Sequence, residues 1–205
     1  MWTDSFAAWL DRCASNSLVA LAALAVLIGS TIALAILNPK ENIRERLEQT
    51  YHSPQNAVYL STDTIFLYDK EKLYRMLNAY GEPDYRDHYR FLKLDFIYPF
   101  LYGISLAFIT AYLQRTLSHG DSISCLWVFP LAALLFDVAE NASMWQVLND
   151  AALASQAKTK FTYSRWVGFA RAMTCLKLIC IYTSLLLLIT GGTGFFLKKV
   201  WRLKL

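Results

Sequence analysis

Charge is what this chain has least of. Asp, Glu, Lys and Arg make up 18% of its 205 residues and hydrophobic residues 56%, which excludes a disordered chain and argues against an ordinary water-soluble domain. The net charge of +4 is too small to provide a nucleic-acid footprint, so no nucleic-acid partner is expected. Histidine is scarce too: His52, His88 and His119 all lie outside the long apolar runs. The four cysteines show no C-x-x-C spacing, and Cys125, Cys175 and Cys180 fall inside apolar runs as small packing residues do. G-x-S-x-G, H-E-x-x-H and G-x-x-x-x-G-K-[ST] signatures are missing. No metal site and no cofactor are expected.

What the chain does have is four apolar blocks. They cover about 17–37, 95–114, 122–148 and 166–190. A hydrocarbon core of roughly 30 Å needs about 20 apolar residues of helix, and each block is long enough. Ser17 to Leu37 lacks any polar face, so it cannot be the buried helix of a soluble protein. Its length also exceeds a signal-peptide core, and only Arg12 is basic before it, so it reads as a retained anchor. The expected fold class is all-α, a four-helix transmembrane bundle forming one membrane domain over 1–205.

The one sizeable extramembrane region is the loop 38–94. Lys40 to Tyr51 reads as a short surface helix, followed by turn residues Ser53 to Asn56. Asp69 is placed to cap a second helix with an apolar stripe at Leu73, Met76, Leu77 and Tyr80, closed by Gly81. Pro83 suits the first turn of another helix running through His88 toward the second span. Two amphipathic helices are expected to form a small cap at the membrane surface, with little core. Asn149 to Ser164 reads as a connection, and Gly191-Gly192-Thr193-Gly194 as the end of the last helix.

An even number of spans puts both termini on one side. The loop with Lys158, Lys160 and Arg165 carries twelve basic residues, against six on the side of the termini. Long loops translocate regardless of charge, however, and Lys198, Lys199, Arg202 and Lys204 form the densest basic cluster. Both termini are expected in the cytoplasm.

An ionisable residue at bilayer depth costs roughly 2.5–3.5 kcal/mol or more and normally faces the bundle interior with a partner. Five such residues fall in the blocks: Asp95, Asp137, Glu140, Arg171 and Lys177. Asp137, Glu140 and Asn141 share one helix face, as do Asp95, Pro99 and Tyr102. Matching depths across the helical hairpins sets Asp95 opposite Asn141 and Asp137 level with Lys177, with Arg171 about one turn from Glu140. Tyr98 and Tyr102 complete the candidate ligand-binding set; no catalytic residue is assigned.

The run Leu94-Asp95-Phe96-Ile97-Tyr98-Pro99-Phe100-Leu101-Tyr102-Gly103, followed by Phe136-Asp137-Val138-Ala139-Glu140-Asn141, resembles an uncharacterised family of four-span membrane proteins. That resemblance implies a D-x-x-x-P-x-x-Y motif opening the second span, D-x-x-E-N in the third, and Lys177 in the fourth. It implies the bundle and the polar site but no chemistry. The expected role of the cluster is structural, in a scaffold or assembly. The alternatives are binding or transport of a small molecule, ion or lipid, and a lipid-modifying enzyme using its carboxylates as acid and base. The expected partners are the lipid bilayer, a lipid or small-molecule ligand, and another membrane protein.

Overall fold

A computed structural model describes residues 9, 12–13, 16–37, 70–117 and 125–202. The expected surface helix at 40–51, the turn at 53–56 and the Asp69 cap lie outside the described residues. Helices account for nearly all of what is described, with no strand among the described residues. They are α1 (Ser17–Leu37), α2 (Lys70–Ala79), α3 (Glu82–Asp95), α4 (Tyr98–Leu117), a 3-10 turn (Cys125–Trp127), α5 (Val128–Gln156) and α6 (Arg165–Arg202).

Three helical segments are long and apolar enough to cross a membrane: Ser17–Leu37, Glu82–Thr116 and Arg165–Thr190. The helix α5 is not among them, because Asp137, Glu140 and Asn141 interrupt its apolar run. The expected four spans are thus three by length and composition.

Helix ends follow local chemistry. Asn16 opens α1, its side-chain oxygen accepting the Leu18 amide at 2.9 Å. The expected role of Gly81 as a left-handed helix stop is not what forms. Its φ of −88° is extended backbone, and it instead opens α3, its amide donating to Asp84 Oδ2 at 2.9 Å. Only Phe96 and Ile97 separate α3 from α4. The expected connection after Asn149 begins later, since α5 runs on to Gln156. Its end is a Schellman turn: Thr159 N bonds Ala154 O at 2.9 Å and Lys158 N bonds Ser155 O at 3.0 Å, with Lys158 at φ 54°. The glycine run at 191–194 does not end α6, which continues through it to Arg202.

By contact density the chain divides into two compact units. One comprises Met1–Ile32, Tyr98–Leu135 and Lys177–Leu205; the other comprises Ala33–Ile97 and Phe136–Leu176. The first is called the A unit and the second the B unit.

In the B unit the α2 stripe Leu73, Met76 and Leu77 is buried with Tyr80, Tyr85, Leu92, Met144, Leu148 and Phe161. The loop-borne helix is therefore part of a substantial core, because the C-terminal half of α5 supplies the apolar partners that two short helices lack. In the A unit small residues stand among the buried positions, beside larger ones such as Tyr102, Leu106 and Leu134. Ala107, Ala111 and Ala133 are buried, and a Cβ on Gly103 would come within 2.7 Å of Leu134 Cβ and 3.2 Å of the Pro130 carbonyl oxygen. Backbones approach that closely only where a side chain is absent.

Large apolar side chains point outward along the long helices. Leu18, Ile28 and Ile36 of α1 and Ile179, Leu186 and Ile189 of α6 are exposed, while Thr174, Lys177 and Ser184 of α6 are buried. Helical hydroxyls turn back onto their own backbone: Thr174, Ser184 and Thr183 each donate to the carbonyl four residues earlier.

Candidate functional site

In the B unit α3 and α5 each turn a polar face inward. Asp84, His88 and Asp95 are buried on α3; Asp137, Glu140, Asn141 and Ser143 are buried on α5. Both sets follow helical spacing, so each occupies one face. Glu140 is 1% exposed, a depth at which carboxylates are held by partners. Asp95, Asp137 and Glu140 each make interactions of their own.

One bond ties the two faces together. Asn141 Nδ2 donates to the main-chain carbonyl of Asp95 at 2.9 Å, in a buried setting. The sequence explains why that carbonyl is available. In a continuous helix the Asp95 oxygen would accept from the amide of residue 99, but residue 99 is proline and has no N–H. The helix breaks at Phe96–Ile97, and a side-chain amide from α5 supplies the missing donor. Matching positions along the second and third apolar blocks of the sequence anticipates this pairing.

Further polar contacts lie elsewhere in the B unit. The Tyr80 hydroxyl and His88 Nδ1 are 3.2 Å apart, and Tyr85 OH donates to Leu77 O at 2.8 Å. Tyr89 OH donates to Asn149 Oδ1 at 2.6 Å, and Ser164 Oγ donates to Asp150 Oδ2 at 2.7 Å. The amide of Asn78 makes two bonds to one residue: Nδ2 donates to Phe161 O and Oδ1 accepts Phe161 N–H, both at 2.8 Å. His88 was within reach of sequence reasoning, seven residues before Asp95. Asn78 was not, except that an Asn inside a helix is disfavoured without a use for its side chain.

Arg171 stands apart from the expected cluster. Its side chain is exposed, six residues into α6, where a long cation reaches out of an apolar surface. It therefore does not join Glu140 in the interior.

In the A unit Tyr98 and Tyr102 pair with each other, ring centroids 5.1 Å apart. Thr31 Oγ1 donates to Leu27 O, so the Tyr98 hydroxyl 3.2 Å away is the donor to Thr31. Tyr102 OH is 3.4 Å from Ala133 O. Lys177 is buried and makes interactions of its own. Among the described residues no group of three or more His, Cys, Asp and Glu is placed to hold a metal ion.

No protein-family model matches the chain, and neither a curated protein nor a solved structure matches it.

Proposed function

We propose that this chain is a four-span integral membrane protein whose buried polar residues fix helix register, a structural role in a membrane scaffold or assembly. The fourth span is α5, where Asp137, Glu140 and Asn141 lower the mean hydropathy but are buried, sparing the lipid-facing surface. Kinship with the four-span family that the Asp95 and Asp137 motifs resemble belongs to the same proposal.

The observation that carries it is the Asn141–Asp95 bond. A carbonyl freed inside an apolar medium must find a donor, and here a fixed side chain supplies it. That use demands one register of α5 against α3, and it requires no ligand.

The decisive experiment is a mutant cycle on the full chain in detergent. Asn141→Leu should lower unfolding stability by about 1–3 kcal/mol, since it leaves a buried acceptor bare. Pro99→Ala restores an amide at residue 99, so in that background Asn141→Leu should cost less than half as much. Equal costs in both backgrounds would rule out the register role. The span count has its own test. Single cysteines at Glu48 and Lys160 should be labelled from one side of sealed vesicles, and those at Asp4 and Lys204 from the other. Which pair the reagent reaches from the cytoplasm tests the expected cytoplasmic termini.

A further inference from the structure

The segment after Asp150 contains no acid. From Ala151 to Leu205 every charged side chain is Lys or Arg. Three of these cations, Lys158, Lys160 and Arg165, fall in or beside the short turn between α5 and α6, and all three are exposed. Tyr163 is 74% exposed beside them, and the Arg165 guanidinium lies 5.0 Å from the centre of the half-buried Trp166 ring.

The backbone beneath these side chains is fixed. Two Schellman bonds hold Lys158, the Asn78 amide grips both the N–H and the C=O of Phe161, and Ser164 is tied to Asp150. Phe161 itself is buried, so the turn alternates anchored and presented residues. A membrane-length apolar segment, Arg165–Thr190, starts here. Cations with Tyr and Trp at the start of a span match the chemistry of the headgroup layer.

We propose that the α5–α6 turn is a docking edge for the anionic headgroups of membrane phospholipid, held by Lys158, Lys160 and Arg165. The proposal rests on the integral-membrane reading above. A turn already ordered by Asn78 and Ser164 binds without the entropy loss of ordering a loop. The turn itself carries no acid, and the carboxylate that it touches, Asp150, already accepts the Ser164 hydroxyl.

The test is a lipid titration of the purified full chain, followed by native mass spectrometry, with phosphatidylglycerol and phosphatidylcholine as probes. Wild-type protein should prefer phosphatidylglycerol. Removing the turn's cations (Lys158→Asn, Lys160→Gln and Arg165→Gln) should weaken that preference by roughly fivefold per charge. Asn is chosen at 158 because it tolerates the left-handed backbone. A control removing three exposed cations elsewhere, Arg75→Gln, Arg86→Gln and Arg90→Gln, should leave most of the preference. Raising the salt concentration should reduce wild-type binding, because exposed charges are screened. An absent preference, or an equal loss in the control, overturns the proposal. Release of the chain from membranes by alkaline carbonate would overturn the integral-membrane reading as well. Retention in the membrane without a phosphatidylglycerol preference would overturn this inference alone.

Discussion

In the B unit the buried positions of α2, α3 and α5 hold Leu73, Leu77, Leu92, Met144 and Leu148, with tyrosines around them. In the A unit the buried positions of α4 and α5 mix Tyr102, Leu106 and Leu134 with Ala107, Ala111 and Ala133, and Gly103 touches the neighbouring helix directly. The first pattern fills space with large side chains. The second mixes large side chains with small ones and, at Gly103, removes a side chain so that the helices meet. Lipid tails are as apolar as leucine, so burying leucine gains nothing between helices immersed in lipid, whereas close approach gains dispersion contacts. On the four-span reading, the close approach at Gly103 is how lipid-bathed helices pack, whereas the α2 and α3 side of the B unit is filled by volume as a water-facing core is. Ionisable side chains divide unevenly as well: the buried Asp84, His88, Asp95, Asp137 and Glu140 lie in the B unit and the buried Lys177 in the A unit.

Substitutions can break this contrast, and the largest effect belongs to the core that packs by volume. Leu77→Ala should cost about 2–5 kcal/mol in detergent unfolding, the range for a fully buried leucine. A cost below about 1 kcal/mol would mean that the core collapses freely and is not closely filled. Next comes Gly103→Ala, the smallest change that tests proximity. Its methyl would overlap Leu134, so a loss of about 1–3 kcal/mol is expected, rising for Gly103→Val. Unchanged thermal stability there would show that α4 and α5 do not need their close approach.

Asn78→Ala sharpens the contrast on the polar side of the B unit. It strips two hydrogen bonds from the Phe161 backbone and should cost about 1–2 kcal/mol. Faster amide exchange at Phe161 is the direct readout. The smallest expected effect has the opposite sign. Lys158 occupies a left-handed position that glycine fills without strain, so Lys158→Gly should stabilise by about 0.5–1 kcal/mol. A melting temperature that stays level or falls counts against that turn.

Some of this organisation is legible in the residues alone, and the reason differs from element to element. The bounds of α1, Ser17–Leu37, can be read directly because an uninterrupted apolar run has sharp edges. The α2 stripe is legible because its period is helical and all four stripe residues become buried. The Asn141–Asp95 pairing follows from folding two spans into a hairpin and matching their depths. Three features resist such reading. Asn149 to Gln156 looks polar enough for a loop, yet Ala151 is buried there and continues the inward face of α5. Glycines at 191–194 suggest a break, but backbone freedom only lowers helix propensity and does not forbid the helix. Arg171 looks like an interior charge because it sits among apolar neighbours, whereas its length lets it reach the surface.

The chain is made from its N-terminus, so the Asp95 carbonyl exists before the group that satisfies it. Asn141 follows 46 residues later. A nascent chain that has produced α3 and α4 but not α5 lacks the Asn141 donor at the break before Pro99. That intermediate must borrow a donor from its surroundings until α5 arrives. The two earlier helices therefore cannot finish as an independent pair. A missing proline N–H makes the fold's completion depend on the order in which its helices emerge.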